Sequence, residues 1–360
     1  MTKTSATTTT ETTDLDAFLS QVVGDAATAF HAATVILGDK LGLYKALASG
    51  GPATPQELAA RTQCDARYLQ EWADAQVAAG YCAHDPGSGR ISLTPAQAEV
   101  LTDESSPAFA AGMLSIAGVL FKDEERLLRQ AVRTGAGVGW HEHHQDLFDG
   151  TERLFKPGYV GNLVSSWIPA LDGVEARLVA GGSVADIGCG HGASTIVLAQ
   201  AYPKSTFLGV DYHAESIEVA RKRAAEAGVA DRVRFEVASA ADYAGSGFDL
   251  ACVFDALHDM GDPLQAAAHI RASLADSGTL LLVEPMAGET VSDNVNPLGK
   301  LFYSAGLFVC VAHAKAQGGR YALGPQVPES TWRQLLTEAG FGRFRRATET
   351  PFNRVFEART

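Results

Sequence analysis

Between residues 15 and 47, apolar side chains return every three or four positions: Phe18, Val22, Ala26, Phe30, Ile36, Leu41 and Leu43. That is the period of a helix with one buried face. Thr54 followed three residues later by Glu57 forms a capping box that opens a short helix. A second helix is predicted over about 65–79, stopped by Gly80. The stretch YCAHDPGSGRISLTP then predicts two short strands around a Gly-rich turn. Helix, helix, hairpin is the winged-helix pattern. The first thirteen residues, MTKTSATTTTETT, carry almost no apolar content and are expected to form a disordered tail.

The pattern changes further along. Residues 107–180 read as mostly helical. From 181 onward the apolar runs SVADIG, TFLGVD, VRFEVA, FDLACVF and TLLLVEP alternate with helical segments at 193–202, 214–227 and 263–275. Such alternation implies a parallel, doubly wound sheet. A helix at 329–339 and the strand-like FRRATE and NRVFEA close the chain, as a pair added at the sheet edge. The fold class expected is therefore α/β, a doubly wound Rossmann-like sheet preceded by a mainly helical winged-helix domain. Its parts are a tail at 1–13, the winged helix at 14–106, a helical connector and active-site cover at 107–180, and the ligand-binding domain at 181–360. An insert at 286–328 is a candidate cap.

Composition narrows the partners. The 360 residues are 46% hydrophobic and 20% charged, enough for a sizeable core, and the formal net charge is −13. Such acidity argues against nucleic acid or anionic membrane as the main partner. Through residue 110 there are 6 Lys/Arg against 13 Asp/Glu, and the candidate recognition helix carries Asp65, Glu71 and Asp74 against Arg67 alone. Major-groove binding needs the opposite balance, so Tyr68, Leu69, Trp72 and Val77 are expected to pack instead of reading bases. Cys64, Cys82, Cys189, Cys252 and Cys310 are scattered without CxxC spacing, the pattern of reduced cytosolic thiols. No leading apolar segment and no run of 18 apolar residues occurs, so a soluble cytoplasmic protein is expected.

The candidate chemistry starts at VADIGCGHGA. Gly188 and Gly190 let the backbone turn tightly and approach a ligand, and the helix that follows offers free N–H groups. Gly188, Gly190 and Ala193 also satisfy a dinucleotide pattern. Asp211, ending FLGVD, can accept two hydrogen bonds from ribose hydroxyls, which does not separate NAD from S-adenosylmethionine. Asp186 does favour one of them: a buried carboxylate beside the loop suits an ammonium-bearing ligand and repels a pyrophosphate.

Asp186, Gly188, Gly190 and Gly192 in the order D-x-G-x-G-x-G, the acidic end of the second strand and the terminal strand pair resemble class I S-adenosylmethionine-dependent methyltransferases over roughly 180–360. With the winged helix in front, the chain is similar to the plant-type small-molecule O-methyltransferases and their bacterial relatives. The resemblance implies S-adenosylmethionine as cofactor, a small-molecule methyl acceptor and a homodimer built through the winged helix. It places Asp186, Gly188, Gly190, Asp211, Tyr212, Ser239, Ala240 and Phe254 around the cofactor. Ser239 stands where the family usually presents an Asp toward adenine.

His258 directly follows the fourth strand of the sheet, at the end where ligands sit. The plant-type group carries a catalytic His-Asp there, which implies His258 as general base beside Asp259, with Glu284 as a pocket-side polar group. A second reading gives His258, Asp259 and a later histidine such as His313 to a divalent ion that holds a 2-oxo acid for C-methylation. The cluster WHEHHQDLF is not HExxH. It is expected to be a polar helix in which His141 and His144 share a face and His143 does not, with a contribution to the acceptor pocket or a metal site as the other readings. The remaining readings are an NAD-linked oxidoreductase and a non-catalytic winged-helix regulator.

Overall fold

The computed structural model describes residues 7–124 and 128–360, with side chains from residue 14 onward. The chain divides into two compact units, Met1–Gly118 and Val119–Thr360.

In the first unit, α1 (Thr7–Lys40) takes in the last seven residues of the stretch expected to be a tail, and residues 1–6 lie outside the described ones. Extending a helix already formed costs far less than starting one. The helical stretch expected over 15–47 is broken by Gly42, whose left-handed φ of 70° starts α2 (Leu43–Gly50) in a new direction. Then come α3 (Pro55–Thr62), α4 (Ala66–Ala78), β1 (Ala83–Asp85), β2 (Arg90–Ser92) and α5 (Pro95–Thr102). The capping box forms as expected: the Glu57 N–H donates to Thr54 Oγ1 at 3.2 Å, and the Thr54 N–H to Glu57 Oε2 at 3.0 Å. Asp65 caps α4 by accepting from the Arg67 and Tyr68 N–H groups. Leu69 and Trp72 pack into the core of this unit, but Tyr68 does not: it is 80% exposed. The cap sets the phase of α4, which buries Leu69, Trp72, Ala73 and Gln76 and turns Tyr68 outward.

The helix α6 (Ala111–Asp123) runs across the division. After it come α7 (Arg129–Thr134), α8 (Gln145–Asn162), a π-turn over Leu163–Trp167 and α9 (Val174–Ala180). The sheet follows: β3 (Ser183–Ile187), α10 (Ala193–Ala201), β4 (Thr206–Asp211), α11 (Ala214–Glu226), β5 (Val233–Val237), β6 (Phe248–Phe254), α12 (Pro263–Ser273) and β7 (Leu274–Pro285). The 286–328 insert holds α13 (Pro297–Phe308) and α14 (Cys310–Ala316). The chain ends in α15 (Glu329–Glu338), β8 (Arg343–Glu349) and β9 (Asn353–Arg359). The segment Pro297–Ala316 is apolar and long enough to pass for a membrane span by composition alone, with a mean hydropathy of 1.2. It is two helices broken at Val309, and the second carries His313 into a cavity wall.

The seven strands lie in the order β5-β4-β3-β6-β7-β9-β8. The first five are parallel, and β9 runs antiparallel between β7 and β8. Both faces are covered, which explains the near-continuous apolar runs. Side chains alternate between two cores. Val184, Leu250, Cys252 and Phe254 enter one, while Ala185, Ile187, Ala251 and Val253 enter the other with Trp332 of α15. The turns that leave the carboxyl ends of β3, β4, β5 and β6 therefore gather at one edge of the sheet.

Candidate active site

Those turns surround a cavity of about 720 Å³, within the range typical of small-molecule sites. Its floor is the glycine loop. Gly188 and Gly190 have φ of 75° and 51°, and a Cβ on Gly188 would meet Ala256 Cβ at 2.9 Å. The N–H groups of Gly188 and Cys189 donate to the Val210 carbonyl at 2.8 and 3.0 Å, which ties the loop to the end of β4. Asp211 completes the tie: Oδ2 accepts from the Gly190 N–H and Oδ1 from the His213 N–H, both at 2.9 Å. Burial raises the Asp211 carboxyl pKa against those two N–H groups. Each oxygen keeps a lone pair for a further donor.

Asp186 does not line the cavity. It lies beneath the loop, where Oδ2 accepts from the Ser194 and Thr195 hydroxyls at 2.6 Å each, while Oδ1 is buried with no partner among the described residues. Burial lifts its carboxyl to about 6 although those hydroxyls favour the charged form. Asp255, directly after β6 with φ 48°, lines the cavity: Oδ1 accepts from the Asn353 amide at 2.7 Å and Oδ2 has no partner among the described residues. Burial and the neighbouring Glu284 carboxylate push it well above the usual carboxylate range. Two under-satisfied carboxyls flanking a glycine loop fit a ligand that carries positive charge and donor hydrogens.

Tyr212, Ser239, Ala240 and Phe254 line the cavity. Asp242 instead supports the Ser239 turn, accepting from its N–H at 3.2 Å.

The other residues expected to be catalytic divide. Asp259 lines the cavity, half-buried, with its carboxyl lifted to about 7 by burial. His258 sits one layer behind, with its side chain 4% exposed and Nδ1 at 2.6 Å from Glu284 Oε2. Glu284 is not pocket-side. It is fully buried, in register with Arg354 of β9 and covered by the 257–259 turn, whose Leu257 N–H it also accepts. Burial disfavours the His258 imidazolium, but the Glu284 carboxylate and the Cys310 sulfur outweigh it and hold the pKa well above an ordinary histidine.

His258, Asp259 and Cys310 offer ligand atoms within 4.8 Å of one another. His313 does not join them. It stacks on Tyr212 at 5.5 Å, meets the edge of Trp140 at 5.8 Å and lies 2.7 Å from Gln317 Nε2. Burial and the surrounding histidines lower its pKa to about 4.

The opening cluster is not one polar helix. Residues Trp140–Glu142 form a 3-10 turn, His143 leaves it in extended backbone, and His144 caps α8 by accepting the Asp146 N–H at 3.1 Å. His143 is buried against Asp123 at 2.7 Å. The local pattern could not show this, because Asp123 lies twenty positions earlier.

Sequence reasoning expected an active-site cover within 107–180 but did not name its residues. Phe148, Glu152, Phe155 and Tyr159 of α8 line the cavity opposite the glycine loop. Their spacing of three and four marks one helix face, a signal present in the sequence, but nothing in it says what that face covers.

Residues 178–340 match the family model described as methyltransferase domain, and residues 29–103 the Rv2258c-like winged HTH domain. Among curated proteins, the chain is similar to the 27-O-demethylrifamycin SV methyltransferase of Amycolatopsis mediterranei, 35% identical over 131 residues, 34% of this chain and 48% of that protein. The chain spans less than half the length of each of the curated relatives it matches here. Among solved structures it is similar to mitomycin 7-O-methyltransferase, with a TM-score of 0.70 at 20% identity over 97% of this chain and 100% of that one. It is also similar to human N-acetylserotonin methyltransferase in complex with S-adenosylmethionine, with a TM-score of 0.71 at 19% identity over 95% and 97%. At such identities the likeness is one of fold.

Proposed function

We propose that this chain, whose residues 178–340 match the methyltransferase-domain family model behind a winged HTH domain at 29–103, is an enzyme transferring the methyl group of S-adenosylmethionine to a small-molecule acceptor. The observation that carries the reading is the glycine loop stitched to Asp211 and flanked by Asp186 and Asp255, each with one carboxyl oxygen unpartnered. When bound, S-adenosylmethionine supplies an electrophilic methyl on a sulfonium centre. Gly188 and Gly190 leave room for it, Asp211 accepts from its ribose, and the Asp255 carboxyl faces its positive charge, while Asp186 braces the loop from beneath through Ser194 and Thr195. Ser239 and Ala240 fit beside its base. A dinucleotide fits less well, because its pyrophosphate would meet Asp211 and Asp255.

The chain's own contribution is to hold two reactants in line in one cavity. Its proton acceptor is the His258–Glu284 pair: the carboxylate holds Nδ1, so Nε2 is the basic atom. Asp259, whose carboxyl lies within 4.8 Å of that imidazole, is the member of the group that lines the cavity and links the buried pair to it. The acceptor is a small molecule, in keeping with a cavity of about 720 Å³ lined by side chains of one compact unit. Five unpaired thiols suit a reducing compartment, and the cytoplasm is the one proposed.

Calorimetry decides the cofactor. S-adenosylmethionine and its demethylated product should both bind, and NAD should not. Tight NAD binding with no response to S-adenosylmethionine would reverse the assignment.

The winged-helix unit serves as a dimerisation element and not a DNA reader. Its support is the acidic charge balance together with the apolar residues left exposed on α1, among them Leu15, Phe18, Leu19, Val22, Val23 and Phe30. Light scattering is expected to give the mass of a dimer. A monomer that binds random duplex DNA at low micromolar concentration, with strong salt dependence, would overturn both halves of this reading.

A further inference from the structure

Glu152 of α8 does something the catalytic reading does not use. Its carboxylate meets two partners from different parts of the cofactor-binding fold. Oε2 lies 2.9 Å from His191 Nδ1, in the glycine loop between Gly190 and Gly192, and Oε1 pairs with Arg223 of α11. The Glu152 and His191 side chains are only 13% and 11% exposed, yet both line the cavity. Burial alone would raise the Glu152 carboxyl, but the hydrogen bonds from His191 and Arg223 bring it down to about 2, so it is an anion throughout the working range. An anion accepts, so the His191 proton resides on Nδ1, and Nε2 is the ring atom left for a ligand.

The loop is thus held by two carboxylates. Asp211 takes the Gly190 N–H from the sheet side, and Glu152 takes the next residue's ring from the roof. Phe148 stacked on His213 at 5.4 Å and Tyr159 against Phe254 at 5.2 Å tie the same face of α8 to the floor.

We propose that His191 contacts the bound cofactor through Nε2 and that Glu152 is its positioning residue, fixing the ring and closing α8 over the glycine loop. The proposal rests on the S-adenosylmethionine reading above.

Calorimetric titration of S-adenosylmethionine and its demethylated product into the full chain tests it, with wild type, Glu152→Gln, His191→Ala and the double variant. Each single variant should weaken both ligands about tenfold, the scale of one charge-assisted hydrogen bond. The double variant should be no more than about threefold weaker than His191→Ala, because Glu152 acts through His191. In turnover assays KM for the cofactor should rise while kcat stays within about threefold, as for a contact equal in ground and transition states. Arg223→Ala, which removes only the outer partner, should bind nearly as wild type. Wild-type binding with Glu152→Gln unchanged, or losses that simply add in the double variant, overturns the proposal. So does lost binding in the single variants that tracks a fall in Tm. Failure of wild type to bind either ligand overturns the methyltransferase reading instead.

Discussion

Replacing His258 with alanine is expected to lower kcat by about 10²–10⁴, the usual contribution of general-base assistance. S-adenosylmethionine binding should remain within a few fold, because His258 does not line the cavity where the cofactor residues gather. The variant leaves Glu284 buried without its imidazole partner, so Glu284→Gln, which keeps the volume, serves as a second probe. It should lower kcat less, by disordering the ring instead of removing it. His141→Ala and His144→Ala should lose less than about tenfold. The pH profile follows from the shift in His258. A base works only when unprotonated, and Glu284 stabilises the protonated ring. Activity should therefore fall as pH drops through an apparent pKa above the ordinary histidine value, and that acid limb belongs to the pair. A chelator should leave turnover unchanged. Activity lost to chelation and restored by a divalent ion would transfer His258 to the metal reading, with Asp259 and Cys310 as its neighbours.

The second large effect belongs to Asp211→Ala. Cofactor affinity should fall by roughly 2–4 kcal/mol, the loss of two charge-assisted hydrogen bonds with some compensation by water. That is about 30- to 1,000-fold in Kd. The same carboxylate accepts the Gly190 and His213 N–H groups, so the variant also releases the loop. Asp211→Asn keeps an acceptor oxygen and should bind between the two. Calorimetry reads the series, and an Asp211→Ala protein with wild-type affinity would remove Asp211 from the cofactor site.

Much of this site could be read in the chain because its parts are local. The glycines, Asp211, Tyr212, Ser239 and Phe254 all follow apolar runs that can only be buried strands, and a doubly wound sheet brings the ends of such strands together. The winged helix was legible for a similar reason: the Thr54–Glu57 box, Asp65 and Gly80 mark its helix ends one by one. What stayed hidden depends on partners remote in sequence. Glu284 reads as the end of a strand facing the ligand, but Arg354 of β9 and the 257–259 turn enclose it. His143 reads as one of three polar histidines until Asp123 takes it into the interior. Glu152 shares a legible helix face with Phe148, Phe155 and Tyr159, but its role stayed hidden because His191 and Arg223 arrive from two other elements.

The antiparallel placement of β9 has a consequence for the order in which the molecule assembles. The pairings among β3, β4 and β5 close short loops, as where Ser183 pairs with Thr206, whereas β9 must find β7 across a much longer stretch, Thr279 with Arg359. Loop closure of that length is slow relative to local pairing. The cofactor floor, built on β3, β4 and β5, thus gains its geometry from early, short-range contacts. Asn353, which steadies Asp255 at the carboxyl end of β6, arrives only with the final strand. The refolding chain is thus expected to set the glycine-loop shelf before the β6 end of the cavity is complete.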